Sequence, residues 1–340
     1  MRTTVLGAAG FLGINLVDAL LAAGVTPRCG HRRRTNIIPL RRRKVPLVIA
    51  DLEAPETLAE ALADTDVVYH VAGHYPRTAH DPEATVARAV RELRAVLDAA
   101  AHAGVKRLIY VSSTATVARR ADGRPSSEAD VFPAPPGFGG YHDAKWHMEA
   151  LAAAEDRFEV VTACPGACLG PWDLRVGTSA LLVAMARGLN PPHPDGPVSP
   201  VDVRDVGRAL VRLGAMPDPP RRVLLAQGTT SLQSLLERLA QRYGTAPPSA
   251  PLADAEALAF AEAEEDRVLG TADRAALARE IVDLVIHGAP LDTRLGSALV
   301  APEGWTPLEA TLDAFDAFAR RMKLIPDAPE GATTSAAPSA

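Results

Sequence analysis

Cysteine is scarce in this chain: Cys29, Cys164 and Cys168 are its only three. So small and odd a number builds no disulfide framework, and Cys164 and Cys168 stand too far apart for a redox Cys-x-x-Cys pair. They read as small apolar filler. Long hydrophobic runs are missing too. No stretch reaches the length of a membrane span, and the N-terminus enters a strand-like segment without a charged leader and signal core. These absences lead us to expect a soluble, cytoplasmic protein with no membrane partner. Aromatic residues make up only 4% of the chain, and none is interleaved with its basic run. That argues against a nucleic-acid partner. No internal repeat is visible.

What is present is a chain of 340 residues with 47% hydrophobic content. It is long enough for one large domain or two smaller ones around a sizeable core. The net charge of −5 is unevenly spread. Eight basic and no acidic residues lie between Arg28 and Lys44, which leaves 28 basic against 41 acidic groups elsewhere. A basic run in an acidic protein holds the phosphate of a small ligand or forms a solvated loop.

The first twenty-four residues carry the strongest signal. A short apolar strand over 3–6 is followed by Gly7-Ala8-Ala9-Gly10-Phe11-Leu12-Gly13, then by a helical apolar pattern that stops at Gly24. Strand, glycine turn and helix together hold a dinucleotide pyrophosphate. The bare turn lets the phosphate approach the backbone, and the helix N-terminus offers free N–H groups and a positive dipole end. Further strands are expected over 25–30, 46–49, 67–72, 108–111 and 160–163, with helices over 56–62, 82–103 and 141–154 between them. The segments 201–214 and 223–226 look like returns to the sheet. This rhythm implies an α/β fold with a doubly wound parallel sheet, whose ligands bind at the carboxyl ends of the strands. Residues 1–168 are the expected nucleotide-binding domain, with 198–230 returning to it. Residues 169–197 and 231–325, with helices over 178–187, 232–243 and 277–286, form a smaller cap. The Ala/Pro/Ser/Thr tail over 326–340 has little to bury and reads as disordered.

Several chemistry-bearing residues fall at strand ends. In Tyr141-His142-Asp143-Ala144-Lys145, helical spacing puts Lys145 on the same face as Tyr141. A nearby ammonium favours the phenolate and suits the tyrosine to proton transfer near neutral pH. The same lysine can hydrogen-bond a nicotinamide ribose. Ser112-Ser113-Thr114 ends the strand over 108–111. A hydroxyl there can polarise a substrate carbonyl and stabilise the developing alkoxide, or simply cap the strand end. Strand two ends in Cys29-Gly30-His31-Arg32-Arg33-Arg34 with no acid in reach. An acid there would bind a ribose 2′-OH, whereas Arg32 accommodates a 2′-phosphate. This favours NADP(H), with NAD(H) the alternative. His70, His74 and His80 are the densest histidine group, but they straddle a strand and a loop without carboxylates at ligand spacing. No metal is expected.

The Gly-x-x-Gly-x-x-Gly spacing, with the Phe11-Leu12 pair inside it, resembles the extended short-chain dehydrogenase/reductases of the NAD-dependent epimerase/dehydratase superfamily. The likeness spans about residues 3 to 320 and is nearest the dihydroflavonol-4-reductase-like and 3-beta-hydroxysteroid-dehydrogenase-like members. It implies a Rossmann sheet with a C-terminal substrate cap. It also implies that Gly7, Gly10, Phe11, Leu12 and Gly13 line the pyrophosphate, that Ala72-Gly73 forms a small-residue turn beneath the cofactor, and that Pro165-Gly166 begins a segment closing over the nicotinamide. Asp51-Leu52 would meet the adenine, unless Asp51 is only a helix N-cap. Tyr141 and Lys145 would be catalytic and touch the cofactor, with Thr114 preferred over Ser113 as the catalytic hydroxyl. In 200–206 an Asp would buttress the nicotinamide segment. A homodimer through the helices near 85–103 and 141–154 is implied as well. The expected activity is an NAD(P)H-dependent reduction of a ketone or aldehyde, or the reverse alcohol oxidation, on a largely apolar small molecule. The alternative is a nucleotide-sugar epimerase or dehydratase with internally recycled NAD. His74, Tyr75, Phe138 and Trp172 are the candidate substrate residues.

Overall fold

The computed structural model describes residues 1–73, 80–271, 275 and 277–327. The expected substrate residues His74 and Tyr75, and the tail from 328 on, lie outside them. The first half alternates as the apolar pattern requires. It runs β1 (Thr3–Leu6), α1 (Phe11–Ala22), β2 (Arg28–His31), α2 (Ile38–Arg42), β3 (Leu47–Ile49), α3 (Glu56–Leu62), β4 (Val67–His70), α4 (Pro82–His102) and β5 (Arg107–Val111). A 3-10 turn (Thr114–Thr116), α5 (Gly140–Ala153) and β6 (Glu159–Pro165) follow. Next come β7 (Ala167–Leu169), α6 (Ala180–Ala186), β8 (Pro197–Val198), β9 (Pro200–Asp202), α7 (Val203–Ala215), β10 (Arg222–Leu225) and β11 (Thr230–Ser231). The chain ends with α8 (Leu232–Tyr243), α9 (Asp254–Val268), α10 (Arg279–Ile286), α11 (Arg294–Val300) and α12 (Leu308–Arg321).

Seven strands form one sheet in the order β10-β6-β5-β4-β1-β2-β3. Every pairing in it is parallel. The doubly wound α/β expectation therefore holds. β4 shows why its sequence is apolar throughout: Val67 and Tyr69 enter the core under α1 and α7, while Val68 enters the core under α3, α4 and α5. Chain direction across the sheet reverses between β1 and β4, the switch point where such folds bind ligands.

The segment 201–214 departs from expectation. Only β9 is extended there, and it pairs with β7 in a separate two-stranded sheet. The rest is α7, which buries Val203, Val206, Ala209, Leu210 and Leu213 at helical spacing behind an Asp202 N-cap. The return to the main sheet is made by β10 alone, paired with β6. The basic run also holds an unforeseen short helix, α2. In the C-terminal part, α9, α11 and α12 were not expected, and α11 packs on α7 and β10 with Leu299 and Val300 in the core of the main sheet. A second apolar core stands apart from it, formed by Leu182, Met185, Leu235, Leu236, Leu239, Leu312 and Phe315. No helix among the described residues is long and apolar enough to cross a membrane.

Candidate active site

The glycine turn after β1 is shaped by contacts that exclude side chains. Gly7 has φ +85°, and a Cβ on it would lie 2.7 Å from the Ala72 backbone nitrogen. A Cβ on Gly13 would lie 2.2 Å from the Gly7 carbonyl oxygen, so these two glycines let β1, α1 and the end of β4 meet. Gly10 differs: it is the N-cap of α1, its N–H donates to the Gly7 carbonyl at 2.9 Å, and no side chain caps the helix. The first turn holds no acid. Phe11 and Leu12 are half-buried at that helix start. Gly73 is exposed, and a Cβ there would meet nothing within 4 Å among the described residues. Bare amide groups, a positive helix end and a Gly73 with no described neighbour above it fit a dinucleotide.

Around this crevice the other sequence-derived candidates fall unevenly. Arg32, Arg33 and Arg34 follow β2, are exposed and make no ion pair among the described residues. Two other members of the basic run are structural. Arg28 donates to the carbonyls of Ala61 and Ala63, and Arg43 grips Asp18 through both carboxylate oxygens. Asp51 is not a helix N-cap, because that position on α3 is Pro55. Its Oδ1 instead accepts from the Glu53 N–H at 3.2 Å, while Leu52 packs against the sheet core. Pro165 ends β6. Gly166 is needed for packing, since a Cβ there would lie 2.2 Å from the Ser199 carbonyl.

The end of β5 and α5 do meet. Gly139, at φ +130°, starts α5, and Gly140 lets it press on α4, where a Cβ would lie 2.9 Å from Pro82 Cα. Lys145 Nζ donates to the Val111 carbonyl at 3.2 Å, which anchors α5 to the end of β5. Nζ also stands 5.8 Å from the Tyr141 ring and 5.6 Å from the Tyr110 ring. Burial pulls the Lys145 ammonium down to about 8, opposed first by the Glu149 carboxylate and further by Glu280. Ser113 is buried, and its Oγ accepts from the Ala115 N–H at 3.2 Å as the cap of the 3-10 turn. Thr114 is half-buried, and its hydroxyl has no hydrogen bond among the described residues.

Phe138 stacks on His287 of the cap with centroids 3.5 Å apart, and its edge meets Phe132 and His142. His142 in turn faces the Tyr141 ring at 6.2 Å. Trp172 is not brought to this group. Its ring lies against Phe318 at 5.4 Å and under the Arg43 guanidinium at 4.8 Å. Asp202 does stand against the 165–173 segment, opposite Leu169 in the β7–β9 pair, and the acids of 200–206 have further partners. Asp205 accepts from Thr306 Oγ1 at 2.9 Å and Asp202 from Thr311 Oγ1 at 2.9 Å, so both tie α7 to the C-terminal segment. His70 is fully buried, whereas His80 pairs with Asp266 at 2.7 Å, so these two share no ligand sphere. Sequence reasoning missed Asn15, whose Nδ2 donates to the carbonyls of Phe11 and Pro171 and links the glycine helix to the segment after β7. A lone amide on an apolar helix face was the available signal.

A dinucleotide turn at the switch point, with a Tyr and a Lys one turn apart beside a strand-end hydroxyl, defines a class of nicotinamide-dependent oxidoreductases. The chain belongs to the NAD dependent epimerase/dehydratase family, which it matches over residues 3–222. Within that superfamily it lies near the dihydroflavonol-reductase branch and is an NAD(P)-dependent oxidoreductase. It is 30% identical over 268 residues to a Synechocystis sp. protein whose assignment as a dihydroflavonol 4-reductase is itself provisional, covering 77% of this chain and 78% of that one. Its fold is similar to that of a nucleoside-diphosphate-sugar epimerase from Pseudomonas aeruginosa, with TM-score 0.78, 24% identity and coverage of 96% and 99% of the two chains. It is also similar to yeast methylglyoxal/isovaleraldehyde reductase, solved with NADPH, with TM-score 0.71, 20% identity and coverage of 96% and 100%.

Proposed function

We propose that this protein is an NADPH-dependent reductase of a ketone or aldehyde on a largely apolar small molecule, and that it catalyses the reverse oxidation when the ratio of cofactors favours it. The observation that carries this reading is the Lys145–Val111 hydrogen bond, which holds the Tyr141 helix against the strand end bearing Ser113 and Thr114. Gly7, Gly10, Phe11, Leu12 and Gly13 would cradle the pyrophosphate, Ala72 and Gly73 would floor the cofactor, and Asp51 and Leu52 would border its adenine. Pro165 and Gly166 would sit beside the nicotinamide. The bound nicotinamide supplies the hydride. Thr114, whose hydroxyl has no hydrogen bond among the described residues, orients the carbonyl oxygen, and Ser113 is the second choice because it already caps a turn. Tyr141 delivers the proton to that oxygen. Lys145 favours the phenolate left behind and reaches the nicotinamide ribose.

The preference for NADPH rests on the three exposed arginines after β2 and on the missing acid there. The apolar substrate class rests on the Phe138 cluster beside Tyr141. Residues 1–168 with 198–230 act as the nucleotide domain and the rest as the cap. A homodimer would form through α4 and α5. Light scattering at micromolar concentration tests that assembly, and a monomer would overturn it. For the activity, a panel of aryl and alkyl carbonyl compounds is screened for loss of NADPH absorbance. Mole-for-mole consumption supports a reductase. Conversion of a nucleotide sugar with no net change in cofactor would replace this reading with an epimerase.

A further inference from the structure

The face of the sheet beneath α5 carries a polar row that the mechanism above does not use. Strand register places His70 beside Tyr110, Tyr110 beside Thr162, and Thr162 beside Arg222. At one end of this row stands Glu149, one helical turn beyond Lys145 on α5. Glu149 is 7% exposed. Its Oε2 accepts from Arg222 Nε at 2.9 Å, and its Oε1 accepts from Thr116 Oγ1 at 2.5 Å and from Cys164 Sγ at 3.4 Å. Arg222 Nη2 donates to the same Thr116 oxygen at 2.8 Å. Thr116 belongs to the 3-10 turn that begins at Thr114.

A carboxylate is costly to bury, and pairing with Arg222 and two further hydrogen bonds answers that cost. The pairing also fixes the charge in place. Residues four apart share a helix face, so the fixed anion lies behind the lysine ammonium. We propose that Glu149 is a positioning residue: anchored by Arg222 and Thr116, it supplies the counter-charge that keeps Lys145 protonated during turnover and couples α5 to the turn bearing Thr114.

The other groups around Lys145 do less. Cys164 on β6 has its thiol pushed well up by burial and is neutral. His70 on β4 is held down at about 3 by burial and by Lys145, and is also neutral. Tyr110 on β5 and Tyr141 on α5 offer ring faces. Glu280 on the cap helix α10 is half-buried and acts on Lys145 less than Glu149 does.

This inference rests on the role given to Lys145 above, and its test separates the two claims. The chain has only four lysines, Lys44, Lys106, Lys145 and Lys323. Titration of the full-length protein labelled with 15N-lysine can therefore follow Lys145 Nζ, assigned by single Lys→Arg variants. Glu149→Gln should lower its midpoint by about two pH units, the scale of one unit charge lost at helix-turn distance (about 6 Å) in a medium of effective dielectric about 20. The alkaline limb of kcat/KM should move by the same amount. Glu149→Asp keeps the charge and should leave both near wild type. An unmoved Nζ in Glu149→Gln, or an equal shift in Glu149→Asp, would overturn the proposal and leave Glu149 a packing residue. If Glu149→Gln does not fold, the Glu149→Gln/Arg222→Met double variant removes both buried charges and should still lower the midpoint. A shifted Nζ in a protein that reduces no carbonyl compound would keep Glu149 and reject the reductase reading. Turnover with an unmoved Nζ would do the reverse.

Discussion

Two glycines in the same crevice separate the needs of the fold from the needs of a ligand. A Cβ on Gly13 falls 2.2 Å from the Gly7 carbonyl oxygen, about 1 Å inside a tolerable contact, and both partners are backbone. Gly13→Ala therefore forces α1 off the turn. Overpacking of this kind costs about 1–3 kcal/mol. At about 2–4 °C per kcal/mol for a domain of this size, Tm should fall by roughly 2–12 °C. Gly73 has no described neighbour within 4 Å and no positive φ. Gly73→Ala should leave Tm unchanged or raise it slightly, because alanine loses less chain entropy on folding. If the cofactor lies over Gly73, however, the added methyl occupies its space, and NADPH affinity should fall at least about tenfold, or 1.4 kcal/mol. Thermal scans without ligand and calorimetric titration with NADPH read the two effects independently. NADPH binding unchanged in Gly73→Ala would remove the Ala72-Gly73 floor from the site. An unchanged Tm in Gly13→Ala would show that the close approach to Gly7 is not a real constraint.

Other outcomes follow from the same geometry. Tyr141→Phe should keep cofactor binding and lower turnover by at least ~10²-fold, and near-normal steady-state rates would sink the assigned acid. Lys145→Met should damage both turnover and cofactor affinity, so a change in only one would end its dual role. Arg32→Ala removes a charge-assisted contact worth roughly 1.5–3 kcal/mol, weakening NADPH about ten- to a hundredfold while sparing NADH. Because Arg32 is exposed and unpaired among the described residues, Tm should not move. A wild type that already prefers NADH would make the arginines a solvated loop. Carbonyl reduction should decline as pH rises through about 8, where Lys145 loses its proton. The stability term has the opposite sign. Lys145 binds its proton less well folded than unfolded, so its contribution to stability rises with pH between about 8 and its ordinary value of 10.5. A rate that is flat to pH 10 would contradict the first claim.

The parallel sheet was legible because each element carries its own period: β4 is apolar on both faces, and α1 opens on glycine and closes on glycine. Tyr141 and Lys145 were legible for the same reason, since a spacing of four is local. α7 was misjudged because its valines resemble a strand until Asp202 is read as an N-cap. α9 was missed because it buries only two alanines, Ala257 and Ala261, with Val268 at its end and the charged Glu265 between, which leaves a weak apolar stripe. Contacts made by topology left no local trace. Asn15 meets Pro171 across 156 positions and Glu149 meets Arg222 across 73, and no window of sequence holds both partners. The contacts of the Trp172 ring with Arg43 and Phe318 are likewise made by topology, across positions no local motif joins.

The late arrival of β10 gives the catalytic helix a history during synthesis. α5 leaves the ribosome complete, with Glu149 facing a sheet that still lacks its last strand. At about 5–20 residues per second, roughly four to fifteen seconds separate Glu149 from Arg222, 73 positions later. Until then the carboxylate has no cation to meet, and the face under α5 cannot dehydrate around it. Up to that point a nascent chain holds Glu149 without the guanidinium that pairs with it in the finished fold. A ribosome stalled before residue 222 would hold a chain that has every residue proposed for catalysis and no finished floor beneath them.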